Sequence, residues 1–342
     1  PAGPAGRSST RPGWRYAGPG QPGGVAMTVE APRVRLAGLR RLATVLFVVA
    51  VAVGVTVALR DADWAAVGDM AQPADLALLG AALVVNSAGL VLGMLSWRSL
   101  LTGLGSPVGV GTAARIFFVG MITKFVPGRF WALIANIKMG RTAGVTPARM
   151  ATVYVLNIAV MSLTGLTVGL IAAPSVLGGR AGWLLLAALP VLAATVRPEL
   201  ANRWAAALAR LLRRPAPTPA RHRDLRYAIC AQGISWLVAG VQFWLVAVAA
   251  GAPPAAAFPV CVGAFGLAAV LGSFVVFVPD GIGVREGMLM VALTGLLPLP
   301  AAGAVVLVSR LVCTVSEIAS AGVALLAAEL SRRTARLPAG SG

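Results

Sequence analysis

Charge is scarce in this chain and acid is scarcer: 12% of its 342 residues are charged, 11 of them acidic against 29 basic. A soluble domain carries about a quarter charged residues. With 58% hydrophobic residues and a mean hydropathy of +0.84, one water-soluble core is excluded. Three cysteines, Cys230, Cys261 and Cys313, fall inside apolar windows with no CxxC or Cys/His spacing, so they read as inert small hydrophobes. The single histidine, His222, stands in an arginine-rich loop without a cluster of ligands, which excludes a conventional zinc site. No metal or cofactor is expected. The formal charge of +18 and pI near 11.7 bring nucleic acid to mind. However, the arginines lie mostly between apolar windows and no aromatic–basic interleaving accompanies them. Membrane orientation and anionic lipid account for that charge, and no nucleic-acid partner is expected.

What the chain has in plenty is apolar windows of membrane length, about 20 residues each. Residues 42–59, 74–97, 150–173, 182–196, 227–250 and 301–330 read as transmembrane spans. Residues 1–41 are rich in Pro, Gly, Ser and Arg and read as a disordered basic arm. Met27 opens a plausible basic leader, so part of this arm reads as upstream sequence. Residues 42–330 form the membrane domain and 331–342 a basic tail. The fold expected is all-α, a polytopic helical membrane protein.

Two further apolar segments are broken. Gly120–Trp131 reads GMITKFVPGRFW and Gly272–Arg285 reads GSFVVFVPDGIGVR, each with a Phe-Val-Pro turn and glycines between two apolar arms. A helix interrupted in lipid exposes backbone N–H and C=O groups, which are tolerated where they are buried in protein or line a cavity. Paired breaks in the two halves of a transporter mark a substrate site between inverted repeats. The sequence does not choose between re-entrant half-helices and tilted full spans, over 111–137 and 258–297. Either choice enters and leaves twice, so the sidedness of later loops is unchanged.

With the basic N-terminus in the cytoplasm, Asp61, Asp63 and Asp69 fall in the first outer loop. Arg98, Lys138, Arg141, Arg149, the arginine-rich loop from Arg197 to Arg226, and Arg332, Arg333 and Arg336 all fall inside, as positive-inside bias requires. The expectation is a multi-pass protein of the cytoplasmic membrane with both termini in the cytoplasm. The first broken segment then opens from the inner side and the second from the outer side, as an inverted repeat.

Around the first break stand Arg115, Lys124, Pro127, Gly128 and Arg129. Cations beside free backbone amides suit a phosphate, or these side chains snorkel to the inner interface. Around the second stand Asp280, Gly281, Gly283, Arg285 and Glu286. Arg285 offers a planar fork for phosphate and the glycines permit close backbone approach. The alternative is a capped helix start, with Asp280 as N-cap and Glu286 paired with an arginine. Arg310 and Glu317 are seven residues apart in the last span and therefore share a face. Each needs a partner away from lipid, and Glu286 with Arg310 and Arg285 with Glu317 are the pairings considered. Asn86, Asn157, Gln232 and Gln242 read as interhelical hydrogen-bond partners.

KFVPGRFW at 124–131 and FVPDGIGVREG at 277–287, with the spans between them, resemble the lysylphosphatidylglycerol synthase transmembrane-region family, also described as flippase-like. Asp280 departs from the family's more glycine-rich turn. In multiple peptide resistance factor a similar membrane domain moves an aminoacylated phospholipid between leaflets after a cytosolic domain makes it. The resemblance implies the translocating half without the synthase half. The function it implies is movement of a phospholipid or polyprenyl-phosphate-linked lipid. Arg115, Lys124, Arg129 and Arg285 would hold the headgroup, and Arg310, Glu286 and Glu317 would shape or gate the route. No nucleotide-binding loop is recognisable, so movement would be downhill, ion-coupled or dependent on another protein. A cell-envelope synthase or glycosyltransferase is the partner class implied, and small residues suit a homodimer as well as close packing within one bundle. The alternatives are a membrane-embedded transferase using Asp280 and Glu286, and a non-transporting scaffold.

Overall fold

The structure is a computed structural model. It describes residues 72–122, 130–172, 219–274 and 283–334, together with Gly281, Gly68 and scattered positions from 189 to 210. The chain divides into two units, Pro1–Val49 and Ala50–Gly342, and every described residue lies in the second. The expected spans at 42–59 and, apart from isolated positions, 182–196 lie outside the described residues.

The described residues form eight α-helices: α1 (Pro73–Gly103), α2 (Val110–Ile122), α3 (Phe130–Thr142), α4 (Pro147–Gly169, extended by a 3-10 turn at Leu170–Ala172), α5 (His222–Ala249), α6 (Pro254–Phe274), α7 (Val284–Leu293) and α8 (Leu299–Thr334). Five are long and apolar enough to cross a membrane: Asp75–Gly103, Pro147–Ala172, His222–Ala249, Pro254–Phe274 and Leu299–Leu330. The expected all-α, polytopic membrane protein is what the chain forms.

Local chemistry explains the boundaries. Pro147 opens α4 behind Thr146, whose side chain accepts from the Arg149 amide at 3.4 Å; proline suits the first helical position because it has no N–H to satisfy. Three helices end alike. Gly105, Gly144 and Gly251 have positive φ of 77°, 77° and 86°, and the residue after each donates five positions back, Ser106 to Leu101, Val145 to Gly140 and Ala252 to Ala247, at 2.9–3.0 Å. This six-to-one bond with a left-handed glycine satisfies carbonyls that the last turn leaves open.

Helix α1 lies antiparallel on α5, held by small side chains bonding across to backbone. Ser96 Oγ donates to the Ala228 carbonyl, Ser99 Oγ to Asp224, and Ser235 Oγ back to Gly89, at 2.7–2.8 Å. Further on, a Cβ on Gly240 would lie 2.6 Å from Val262 Cα, so α5 and α6 touch backbone to backbone there. In lipid, where apolar side chains gain little by leaving the solvent, such close packing and interhelical hydrogen bonds supply the association.

The apolar interior separates into two clusters. One gathers Ala82 of α1, Val168 of α4, the later part of α5, α6, α7 and the first half of α8 through Cys313. The other gathers the end of α1, α2, the first part of α4, the start of α5, and Ala321 and Ala324 of α8. Helices α1, α4, α5 and α8 run from one cluster to the other, while the two broken segments belong to different clusters.

Candidate functional site

Where the first apolar cluster ends on α8, near the middle of the Leu299–Leu330 span, the helix carries Ser309, Arg310, Cys313, Ser316 and Glu317. Spacings of three and four keep these residues on one stripe of a helix. Ser309, Cys313, Ser316 and Glu317 are buried, and Arg310 is half-buried. The stripe is polar where a membrane helix is costliest to make polar, so it faces protein.

Three helices meet it. From α1, Asn86 Oδ1 stands 3.9 Å from Cys313 Sγ, and Ser316 Oγ donates to the Leu83 carbonyl at 3.4 Å and to Val312 at 2.8 Å. From α5, the fully buried Gln242 donates from Nε2 to Ser309 Oγ at 3.2 Å and accepts from the same hydroxyl at 3.4 Å. Its Oε1 is also 3.8 Å from Cys313 Sγ. From α7 come Arg285 and Glu286.

The approach of α7 depends on two glycines with positive φ, Gly281 at 68° and Gly283 at 88°. A Cβ on Gly281 would lie 2.7 Å from the Cα and carbonyl oxygen of Gly272, so the chain after the break lies directly on the α6 backbone. Gly283 is the N-cap of α7, and its N–H donates to Glu286 Oε2 at 2.7 Å. Only this half of a capping box exists, because glycine has no side chain to return the bond. The helix start weighed as an alternative is therefore capped at Gly283, three residues beyond Asp280, which lies outside the described residues. The other oxygen of Glu286 accepts from Arg310 Nη1 in an ion pair.

Arg285, one residue into α7, turns inward. Its guanidinium carbon lies 4.7 Å from the centre of the Phe265 ring on α6, and Nη2 donates to Cys313 Sγ at 3.7 Å. Residue burial reaches 91%, since only 9% of its surface is exposed. Stacking on an aromatic face suits the planar, weakly hydrated guanidinium in a way lysine cannot reproduce. The arrangement presents a delocalised cation within a bilayer-length bundle, next to neutral amide and hydroxyl groups, with a carboxylate–arginine pair beside it.

Of the residues singled out from sequence, Gly281, Gly283, Arg285, Glu286, Arg310 and Glu317 are described. The structure joins Glu286 to Arg310 and places Arg285 against α8 at Cys313, one turn before the buried Glu317. Arg115 lies half-buried on α2, a helix that packs against α8. Lys124, Pro127, Gly128, Arg129 and Asp280 lie outside the described residues. Asn86 and Gln242 bond between helices, but the amide of Asn157 reaches Met161 Sδ at 3.1 Å, one turn along its own helix. Among the described residues, Asn157 Oδ1 and Asn136 Oδ1 are buried and meet no hydrogen-bond partner. The cysteines differ from the single class expected of them: Cys230 is exposed, Cys261 is buried, and Cys313 is a polar contact of Arg285. The spacing of Ser309, Cys313 and Glu317 was the signal for that role. Among the described residues, no three His, Cys, Asp or Glu side chains group as a metal site.

No curated protein matches the chain significantly. Residues 41–319 match the family described as the lysylphosphatidylglycerol synthase TM region. Since that match covers most of the sequence, with both breaks and the polar stripe within it, the chain belongs to the lysylphosphatidylglycerol synthase transmembrane-region family.

Proposed function

We propose that this membrane protein is a lipid translocase of the cytoplasmic membrane, with both termini in the cytoplasm. It moves a lipid whose anionic or phosphate-bearing headgroup passes through the bundle interior while the acyl chains stay in lipid. One observation carries the reading: a buried arginine, Arg285, on the first turn of a half-length helix and against the mid-span polar stripe of α8. A cation at this depth is costly to maintain and is characteristic of a substrate or ion path.

Helix α8 packs against both α2 and α7, one from each broken segment, and those segments belong to different apolar clusters. That placement supports a route with one break towards each membrane face and α8 between them, as an inverted repeat requires. Arg285 binds the headgroup from the second segment, with Arg115, Lys124 and Arg129 serving it from the first. The transferase alternative is disfavoured, because Glu286 is already engaged by the Gly283 amide and by Arg310, leaving it poorly placed as a general base.

The test is reconstitution in liposomes containing headgroup-labelled anionic phospholipids or polyprenyl phosphates, with transbilayer movement measured for wild type and Arg285→Ala. Movement of one lipid class that falls at least about tenfold on substitution is expected, as for loss of one charge-assisted contact. Unchanged movement by Arg285→Ala would remove that residue from the site. A folded wild type that moves none of the lipids would remove translocation itself.

A further inference from the structure

The outermost charges of the polar centre belong to the pair beside Arg285. The side chains of Glu286 and Arg310 keep 25% and 19% of their surface, whereas Arg285 as a whole residue keeps 9%. An anion approaching Arg285 along this edge meets the pair first. Arg310 and Cys313 are three residues apart on α8 and share a face, and Cys313 is the atom group that Arg285 reaches. Arg285 of α7 therefore reaches the turn of α8 that carries Arg310, and Arg310 in turn pairs with Glu286, the residue next to Arg285.

The carboxylate of Glu286 occupies two donors at once, the guanidinium of Arg310 through Oε1 and the Gly283 amide through Oε2. A planar guanidinium and a free amide are the donors that a phosphate oxygen cluster also uses. We infer that Arg310 is a second ligand for a phosphate-bearing anion, held in reserve by Glu286, whose carboxylate stands in for the phosphate until one arrives. The inference rests on the translocase reading and extends it by naming the displaced group.

Binding is then an exchange. The incoming phosphate takes Arg310 alongside Arg285, and Glu286 gives up its ion pair while remaining next to the α7 cap. Because Glu286 and the anion compete for one guanidinium, removing the charge of Glu286 tightens anion binding. A pair with only a structural role predicts the reverse, since losing it loosens α7 and the site with it.

The experiment uses the full chain in phosphatidylcholine nanodiscs. One arm raises the fraction of phosphatidylglycerol; the other adds inorganic phosphate to discs without it. The readout is the amount of each probe that half-saturates the protein's thermal stabilisation. Glu286→Gln keeps an acceptor for the Gly283 amide and is expected to lower the half-saturating amount about tenfold, within the usual range for coupled binding. Arg310→Gln is expected to raise it, and the double variant to behave like Arg310→Gln because nothing is left to release. If Arg310→Gln does not fold, Arg310→Lys replaces it; it keeps the charge but lacks the fork and still raises the half-saturating amount. A response to phosphatidylglycerol alone identifies a lipid headgroup as the source, and a response to inorganic phosphate identifies free anion. Unchanged or weakened binding by Glu286→Gln overturns the inference, as do flat titrations of folded wild type in both arms. Arg285-dependent lipid movement alongside an unresponsive Glu286→Gln would leave the translocase reading intact and remove only Arg310's role.

Discussion

In the first broken segment the described helices, α2 and α3, run for 13 residues each, while in the second the described α6 runs for 21 and α7 for 10. At 1.5 Å per residue the first arms are about 20 Å long, and the second pair about 32 and 15 Å. Against a hydrocarbon core of about 30 Å, the described length of α6 is already enough to cross. The contacts behind the two breaks differ too. Gly120 of α2 faces the side-chain oxygen of Asn136 on α3, while Gly281 faces the backbone of Gly272. The two Phe-Val-Pro strings lie outside the described residues, and the glycine contacts on either side of them set how rigidly the arms are joined.

The sharpest way to break this comparison is to add a methyl group at each glycine. Gly281→Ala places a Cβ against backbone at a φ of 68° and is expected to cost about 3 kcal/mol or more, from overpacking and strain together. Thermal unfolding in detergent measures it. Glu286→Ala removes both a cap and the carboxylate partner of Arg310 and should cost about 2 kcal/mol, read as a lowered melting temperature, a moderate value because the pair is partly exposed. Gln242→Leu takes both its hydrogen bonds from Ser309 and should cost about 1.5 kcal/mol; Gln242→Leu with Ser309→Ala should recover most of it. The smallest effect belongs to Gly120→Ala, about 1 kcal/mol or less, because the Asn136 amide can swing away. Equal losses for Gly120→Ala and Gly281→Ala would show the two joints to be mechanically alike and would end the distinction.

The span positions were legible because twenty-residue apolar windows leave few alternatives: α1, α4, α5 and α8 fall where 74–97, 150–173, 227–250 and 301–330 were expected. How the arms meet was not legible. Phe258–Leu297 is apolar apart from Asp280, Arg285, Glu286 and a few small polar residues, and the backbone contact of Gly281 with Gly272 is a tertiary event without a local signature. At the site, ionisable residues announced themselves by their cost in lipid, which is why Arg285, Glu286, Arg310 and Glu317 stood out. Cys313 did not, because its signal was no more than the four-residue spacing from Ser309 and Glu317, and a thiol in an apolar window packs like alanine until a guanidinium comes within reach. Gln242 and Asn86 were legible as bonding between helices, but their convergence on one turn of α8 depends on the antiparallel register of α1 and α5.

Helix α8 also limits how the molecule can move. Leu311, Val315, Ile318, Leu325 and Leu326 are exposed on one side, while Ser309, Ser316 and Glu317 are buried on the other. Half a revolution about its own axis would carry a carboxylate among acyl chains and leucines into a ring of amides, at a cost of several kcal/mol. The helix is therefore a spindle that cannot spin. Sliding or tilting keeps the polar stripe inside the bundle and the leucines in lipid, so those are the displacements that α8 tolerates at least cost.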